Sequence, residues 1–248
     1  MLQVKKTMNL TIIILAHNEE KTIKKHVEDI KRKIINKIKK TELIIFHDGS
    51  RDSTHKILLK LKRKIKFRYI YKKKRMGVHL ALHKSLLLSR GKKIFFTDSG
   101  NKFKLKDFWK LYKFKNKYDL LSGYRVKRQD QIYRMFLTKF FNIFLRTFTI
   151  SKFYDIDSGF KIFDKKKLKK ILLTKKINSH FYMSEVCLKM IYAGSSYKEI
   201  YVRYFQRPTK SRALPILGIP VMIFSYIKNF LKLKKVLNYI KNNFSSLT

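Results

Sequence analysis

Three clusters of polar residues directly follow apolar stretches in the first hundred residues of the chain. They are His17-Asn18-Glu19 after Leu10–Ala16, His47-Asp48-Gly49-Ser50 after Glu42–Phe46, and Asp98-Ser99-Gly100-Asn101 after Lys93–Phe96. Polar turns of this kind offer backbone donors and carboxylates to the hydroxyl groups of a ligand. The clusters therefore indicate a binding site if the fold brings them together.

A second set of residues, in the middle of the chain, has the chemistry to bind phosphate. Arg125 ends the segment Gly123-Tyr124-Arg125, while Arg134 and Thr138 are spaced to share one face of a helix. Guanidinium groups grip phosphate in a forked geometry that lysine cannot copy. In a chain this basic, each of these arginines could equally be surface charge.

The elements that must position the first three clusters alternate between strand and helix. The β-branched run Leu10–Ala16 predicts a buried strand, and apolar residues from Ile23 to Ile34 recur at helical spacing. Further strands are predicted at Glu42–Phe46, Phe67–Tyr71 and Lys93–Phe96, with helices at Ser53–Leu61 and Met76–Ser89 between them. This alternation predicts an α/β fold with a parallel sheet and right-handed crossovers. Ligands bind such sheets beyond the carboxyl ends of the strands, where the polar clusters fall.

The second half of the chain has a less regular pattern. It predicts a short strand at Leu120–Ser122, a phenylalanine-rich helix at Gln131–Phe148, a loop entering a strand over Asp155–Phe163, a helix at Phe181–Ala193, a strand at Tyr197–Tyr204, and a helix after Pro215. We found no repeat of fixed period and no linker rich in Pro, Gly or Ser.

Length and charge limit the classes of function. The 248 residues are enough for one good-sized core, and 60 Lys+Arg against 16 Asp+Glu give a net charge of +44. Such a surface attracts polyanions, among them nucleic acid, anionic lipid and phosphorylated substrates, although a biased genome also produces lysine-rich chains. The single Cys187 excludes an intramolecular disulfide, and the N-terminal apolar run is too short for a signal peptide.

The order and content of the polar clusters resemble family-two glycosyltransferases, especially the polyprenyl-phosphate (dolichyl-phosphate) mannosyl- and glucosyltransferase branch. The resemblance covers roughly Leu10 to Arg212, and its sharpest match is the stretch Asp48-Gly49-Ser50-Arg51-Asp52-Ser53-Thr54. It implies a GT-A fold with a Rossmann-like, mostly parallel central sheet flanked by helices. We accordingly expect a catalytic domain at 8–212 and a C-terminal amphipathic helical segment at 213–248.

The resemblance assigns a group of residues to the nucleotide-sugar donor. They are His17, Asn18, Glu19, Asp48, Gly49, Ser50 and, on a basic loop with Lys210 and Ser211 that closes over the donor, Arg207. Structural alternatives exist for several of them. Asn18 could cap the helix that follows it, and Asp52 or Ser53 could cap the next helix.

Asp98 lies where the family has its D-x-D metal motif, which holds Mg²⁺ or Mn²⁺ against the sugar diphosphate. Gly100 replaces the second carboxylate, and Lys102 follows. Three alternatives remain open. Asp98 binds a cation with help from Asn101 and water, Lys102 supplies the positive charge instead, or the chain is an inactive relative.

The resemblance also implies roles on the acceptor side. Arg125, Arg134 and Thr138 match residues that bind the acceptor's phosphate, and Asp98, Asp155, Asp157 and Arg125 are the candidate catalytic residues. Glu185 matches a helix carboxylate of the family. The implied reaction transfers a hexose, with inversion, from a nucleotide-sugar to a polyprenyl-phosphate or cell-surface glycan. A phosphate acceptor needs no strong base, whereas a hydroxyl acceptor would use Asp155 or Asp157.

The segment Ala213–Ile227 is uncharged, mostly apolar and too short to span a membrane, and Lys228 follows it. It predicts an interfacial segment on anionic lipid at the cytoplasmic face. The alternative is a helix packed on the catalytic core or on a membrane-protein subunit. A nucleic-acid-binding protein is the main rival outside enzymes, but the chain has no zinc pattern and no RNA-recognition signature.

Overall fold

The computed structural model describes residues 8–126, 132–174, 182–205 and 219–244. Its strands are β1 (Met8–Ala16), β2 (Thr41–Asp48), β3 (Arg68–Lys72), β4 (Gly91–Asp98), β5 (Leu120–Val126), β6 (Phe160–Asp164) and β7 (Tyr197–Arg203). Its helices are α1 (Ile23–Lys33), α2 (Thr54–Lys62), α3 (Val78–Leu88), α4 (Phe108–Tyr112), α5 (Ile132–Phe148), α6 (Lys165–Leu172), α7 (Tyr182–Tyr192) and α8 (Ile219–Phe244).

The strands in these described ranges form one seven-stranded sheet in the order β3-β2-β1-β4-β6-β5-β7. The first four are parallel, as the alternating pattern predicts. Their register aligns Leu15 of β1 with Phe46 of β2 and with Asp98 of β4. The carboxyl ends of three neighbouring strands therefore meet at one edge. The expected α/β architecture, with a mostly parallel sheet and a C-terminal helix, is confirmed.

The other half of the sheet contains a reversal that the sequence pattern did not predict. Strand β6 runs antiparallel to both β4 and β5 and lies between them, with Phe160 opposite Thr97. The segment leading into β6 therefore arrives beside the carboxyl end of β4, where Asp98 lies. Helices α4 and α6 were not predicted either, since α4 has only five residues and α6 buries only Leu168, Ile171 and Leu172.

Both faces of the sheet carry a buried core. One core contains Val27 of α1 and Phe108 of α4, and the other contains Val186 of α7 with Phe230 and Leu237 of α8. The part of α8 from Phe230 onward thus packs on the catalytic core, which was the alternative to an interfacial segment. Residues 213–218 lie outside the described ranges, and the boundary at 213 remains a prediction. No helix in the described part of the chain is both long and apolar enough to cross a bilayer.

Gly91 offers a test of the tight contact between β1 and β4. A Cβ built at Gly91 would lie 2.2 Å from the backbone nitrogen of Thr11 and 2.5 Å from the carbonyl carbon of Leu10. Because backbone cannot give way as a side chain does, we expect Gly91→Ala to lower the free energy of unfolding by about 1–3 kcal/mol. The exposed neighbour Lys92 provides the control, and Lys92→Ala should change it by less than about 0.5 kcal/mol. Equal denaturant midpoints for the two variants would contradict this account of the contact.

Candidate active site

A cleft of about 210 Å³ opens at the edge where β1, β2 and β4 end. Its lining residues are Leu15, Ala16, His17, Glu19, Asp48, Arg75, Val78, Ala81, Phe96, Asp98, Ser99 and Lys102. A larger cavity, of about 520 Å³, is lined by residues such as Arg68, Leu88 and Lys169 and by none of the predicted site residues. The smaller cleft is the candidate site because it brings together residues from all three polar clusters.

The turns after β1 and β2 are joined by hydrogen bonds between them. The Asn18 side-chain oxygen accepts from the backbone N–H of Arg51 (2.7 Å), and the Asn18 N–H donates to Ser50 Oγ (3.0 Å). The Glu19 N–H donates to Thr54 Oγ1 (2.7 Å). Asn18 and Ser50 therefore hold the two turns together, and Asn18 bonds across to the second turn instead of capping α1. Glu19 and His17 line the cleft.

Asp48 builds one wall of the cleft. Its two carboxylate oxygens accept from the backbone N–H groups of Met76 (2.6 Å) and Gly77 (2.9 Å), which fixes the loop after β3. Gly49, with φ of +60°, lets that loop approach, because a Cβ there would lie 2.5 Å from the Arg75 nitrogen. The loop places Arg75 in the cleft lining. The sequence predicts that Asp48 binds the base or ribose of the donor. The structure gives the same carboxylate a structural role as well, since it holds the loop after β3.

Asp98 lies on the opposite wall at the end of β4, with about a third of its side chain exposed. Its N–H donates to the Gly159 carbonyl (3.1 Å), and its carboxylate covers Gly159 so closely that a Cβ there would lie 2.3 Å from Asp98 Oδ1. Lys102 Nζ lies 4.0 Å from Asp98 Oδ2. The cleft thus has positive charge from Lys102 and Arg75 beside one partly exposed carboxylate, an arrangement suited to a diphosphate.

Next to Asp98, Arg125 and Asp155 form a nearly buried ion pair. Arg125 Nε and Nη2 donate to the two Asp155 oxygens at 2.6 and 2.5 Å. Burial alone would lower the pKa of Arg125, but the Asp155 charge and these hydrogen bonds outweigh it and raise that pKa above its usual value. Arg125 and Lys102 both lie over the Tyr204 ring, at 5.4 and 5.9 Å from its centroid. The Arg125–Asp155 pair therefore lies beside the cleft, because Arg125 and the cleft residue Lys102 contact the same Tyr204 ring.

Asp157 lies on the same segment as Asp155 but has a different environment. It accepts a hydrogen bond from Ser184 Oγ of α7 (2.5 Å). Burial raises the pKa of Asp157, and this outweighs the opposing effects of Ser184, Lys161 and Arg125. A carboxyl group with a raised pKa is a suitable proton acceptor near neutral pH. The two aspartates of this segment thus differ, one paired with Arg125 and one not.

A comparison with known families identifies the family of the chain. The chain matches the family model described as glycosyl transferase family 2 over residues 11–173, which is more than half of its length. The chain belongs to glycosyl transferase family 2. It is therefore a glycosyltransferase of GT-A fold that uses nucleotide sugars, and the matched range includes the cleft residues from Leu15 to Lys102. No curated protein sequence matches it at a significant level.

Solved structures of glycosyltransferases share its fold. Glucosyl-3-phosphoglycerate synthase from Mycobacterium tuberculosis, in complex with Mn²⁺, UDP-glucose and phosphoglyceric acid, superposes with a TM-score of 0.70 at 16% identity, covering 91% of this chain and 79% of that one. Mannosyltransferase PcManGT from Pyrobaculum calidifontis, in complex with GDP-Man and Mn²⁺, superposes with a TM-score of 0.66 at 15% identity, covering 93% and 65%. At these identities the likeness shows the fold alone.

The described residues of this glycosyltransferase fit a metal ion that is bound together with the donor. No group of three His, Cys, Asp or Glu side chains that could hold a metal is found within the described ranges. Mg²⁺ is commonly bound by one or two carboxylates together with substrate phosphates and water. Asp98 therefore fits a cation that arrives with the donor's diphosphate, and not a cage preformed by the protein.

Several predicted residues cannot be placed in the site. The side chain of Arg134 and the residues Arg207, Lys210 and Ser211 lie outside what the structure describes. Thr138 is a half-buried residue of α5, and its carbonyl accepts from Asn142. Glu185 is fully buried and pairs with Lys189 (2.6 Å), which indicates a role in the core.

Three residues in or near the candidate site were missed or undervalued by sequence reasoning. Arg75 lies in a run of basic residues, which in a sequence resembles ordinary solvent-exposed charge. Its position became evident only from the structure, where Asp48 accepts hydrogen bonds from the amides of the two residues after Arg75. Tyr204 follows β7 with no sequence signal beyond being aromatic. Lys161 is fully buried and donates to Ser122 Oγ, whereas lysine normally stays exposed. A lysine within the apolar stretch of β6 was the available signal.

The contact between Gly159 and Asp98 can be tested directly. A methyl group at Gly159 meets the end of a side chain, not backbone, so Gly159→Ala should fold but displace the Asp98 carboxylate. We expect nucleotide-sugar affinity to fall at least about tenfold, or about 1.4 kcal/mol, by isothermal titration calorimetry. Ser158→Ala is the matched control, since Ser158 Oγ is buried and has no hydrogen-bond partner among the described residues. Unchanged affinity in Gly159→Ala would show that Asp98 does not contribute to donor binding.

Proposed function

We propose that the protein transfers a hexose, with inversion, from a nucleotide-sugar to a phosphate-bearing acceptor, most simply a polyprenyl phosphate at the cytoplasmic face of a membrane. The observation that carries this proposal is the continuity between two groups of residues. Asp98, Lys102 and Arg75 face the donor cleft, and the Arg125–Asp155 pair adjoins it across Tyr204. One group suits a diphosphate, and the other presents a rigidly held guanidinium.

The donor site follows from the charges in the cleft. The nucleotide end lies along the turns that contain His17 and Glu19, and the diphosphate lies between Asp98 and the cations Lys102 and Arg75. Asp98 would hold a divalent cation that binds with the donor, and such a cation would supply positive charge to the diphosphate. Mn²⁺ in complexes of two structural neighbours supports this assignment. Lys102 and Arg75 stabilise the same leaving group without a metal.

Asp98 and the cation can be tested together by donor binding. We expect a thermal-shift screen of UDP-, GDP- and CMP-sugars to yield one donor whose affinity rises with Mn²⁺ and falls in EDTA. Asp98→Asn should remove this metal effect, so that its affinity with Mn²⁺ equals that of the wild type in EDTA. Lys102→Met should instead weaken binding under both conditions, because its charge acts without the metal.

Two outcomes would count against this account of the donor site. Equal wild-type affinity with Mn²⁺ and with EDTA would show that Lys102 and Arg75 replace the metal. No binding of any nucleotide-sugar would favour the alternative that Gly100 marks an inactive relative. Salt-dependent binding to random oligonucleotides, without donor binding, would favour the nucleic-acid-binding alternative.

The acceptor side favours a phosphate over a bare hydroxyl. We propose that Asp155 orients Arg125 toward the acceptor's phosphate, with Arg134 and Thr138 of α5 as further ligands. The resemblance to the polyprenyl-phosphate branch supports an acceptor whose phosphate receives the sugar. The phosphoglyceric acid bound by a structural neighbour supports only a phosphate-binding group on the acceptor side. A phosphate oxygen is already anionic, so transfer to it requires no strong general base. In this assignment Asp155 is a positioning residue, and Asp157 is the side chain available as a base.

Asp157→Asn therefore separates the two classes of acceptor. With a polyprenyl phosphate we expect kcat to fall less than about tenfold, because no proton has to be removed by a strong base. With a hydroxyl acceptor such as a glycan, the loss should be about 10²- to 10⁴-fold, the usual contribution of a general base. A large loss with the phosphate acceptor would contradict the proposal. Single-turnover sugar transfer to each acceptor, with saturating donor, is the measurement.

A further inference from the structure

Helix α5 turns large apolar side chains away from the core. Ile132 and Phe136 are each 68% exposed, Phe140 is 64% exposed and Ile143 is 42% exposed. Their spacing places them in one stripe along the helix. The opposite face of α5 packs on the core, where Leu145 is only 2% exposed. A surface helix of a soluble domain normally presents polar residues to solvent. An exposed apolar stripe of this kind therefore indicates a surface that binds a partner.

Helix α8 extends this surface. Phe230 of α8 packs against Phe144 and Phe148 of α5, with ring centroids 4.9 and 6.5 Å apart. Next to this contact Ile227 and Leu231 are 47% and 59% exposed. The surrounding exposed residues of α8 are basic, namely Lys228, Lys232, Lys234 and Lys235. We call the exposed side chains of Ile132, Phe136, Phe140, Ile143, Ile227 and Leu231, with these lysines, the α5–α8 surface.

The absence of acidic residues from the two helices favours an anionic partner. Neither 132–148 nor 219–244 contains a single Asp or Glu, although the chain has 16 of them. An interfacial helix buries its apolar side chains at the boundary between headgroups and acyl chains, and its lysines are attracted to anionic headgroups. A carboxylate at such an interface would be repelled. We propose that the α5–α8 surface docks the protein on an anionic membrane.

The same helix is attached to the acceptor side of the site. The Asn142 side-chain oxygen accepts from the backbone N–H of Ile156 (3.0 Å), and the Arg146 guanidinium lies 4.5 Å from the centroid of the Tyr154 ring. Both contacts hold α5 against the segment that contains Asp155 and Asp157. Docking through the outer face of α5 therefore brings the acceptor side of the site to the bilayer. This last step, unlike the docking itself, rests on the proposed function.

Vesicle binding by the full chain tests the proposal. The probe is phosphatidylcholine vesicles with and without phosphatidylglycerol, and binding is measured by co-flotation. We expect the wild type to bind the anionic vesicles, and the double variant Phe136→Ser/Phe140→Ser to bind them more weakly by about tenfold or more, because the variant lacks two rings that would enter the bilayer. Lys234→Glu/Lys235→Glu should weaken the binding and reduce its salt dependence.

A matched control removes apolar surface elsewhere. Leu59 and Leu87 are 44% and 47% exposed on other helices, so Leu59→Ser/Leu87→Ser should bind vesicles as the wild type does. Equal binding by the wild type and the Phe136/Phe140 variant would overturn the proposal. A wild-type dimer that this variant converts to a monomer, without vesicle binding, would also overturn it, since the surface would then join two copies of the chain.

Donor binding separates this proposal from the proposed function. The Phe136/Phe140 variant should keep the wild-type thermal shift with nucleotide-sugar, because the donor cleft contains no residue of α5. It should also keep the wild-type melting temperature, since both rings are mostly exposed. Vesicle binding without any donor binding would support the docking surface and contradict the proposed transfer reaction. Loss of both in the variant, with a lowered melting temperature, would count against the proposal, because the two rings would then belong to the core and not to an exposed surface.

Discussion

The packing of the Asp98 carboxylate against Gly159 is the contact on which the site depends. Asp98 ends a parallel strand, whereas Gly159 leads into β6, the strand that reverses the sheet. Only a residue without a side chain can lie under the carboxylate at this distance. The contact joins the donor half of the molecule to the half that contains Arg125 and Asp155. Without the reversal of β6, those two residues would have no structural reason to lie beside the cleft that contains Asp98.

A second constraint comes from how the molecule places its charge. Most of its basic residues are exposed, but a few charged groups are buried in pairs, as with Arg125 and Asp155 or Lys189 and Glu185. Burying an ionised group without a partner is costly, so each such pair fixes the position of both members. In the cleft the cations Lys102 and Arg75 are accessible and are available to a polyanionic ligand. The positive charge of the chain is therefore concentrated at defined positions in the cleft, and elsewhere it is spread over the surface.

Much of the fold could be predicted because local patterns determine it. Buried parallel strands appear as continuous apolar runs, and the helices between them have a clear period, so β1 to β4 were predicted within a few residues of their observed bounds. The strand β6 was predicted, but its antiparallel direction was not, because that direction depends on pairing with β4 and β5 and not on the residues of β6 alone. The meeting of the three polar clusters at the strand ends was also predictable. The partners of Asp48 and Asp155 were not, since they lie about 30 residues away in the chain.

The central claim is that a single nucleotide diphosphate lies between Asp98 and the cations Lys102 and Arg75. The most direct measurement is a crystal structure of the protein with the nucleoside diphosphate of its donor and Mn²⁺. The account predicts that the diphosphate contacts Lys102, with a metal ion between its oxygens and Asp98. A nucleotide bound in the larger cavity beside Arg68 and Lys169, with the cleft at Asp98 empty, would contradict it.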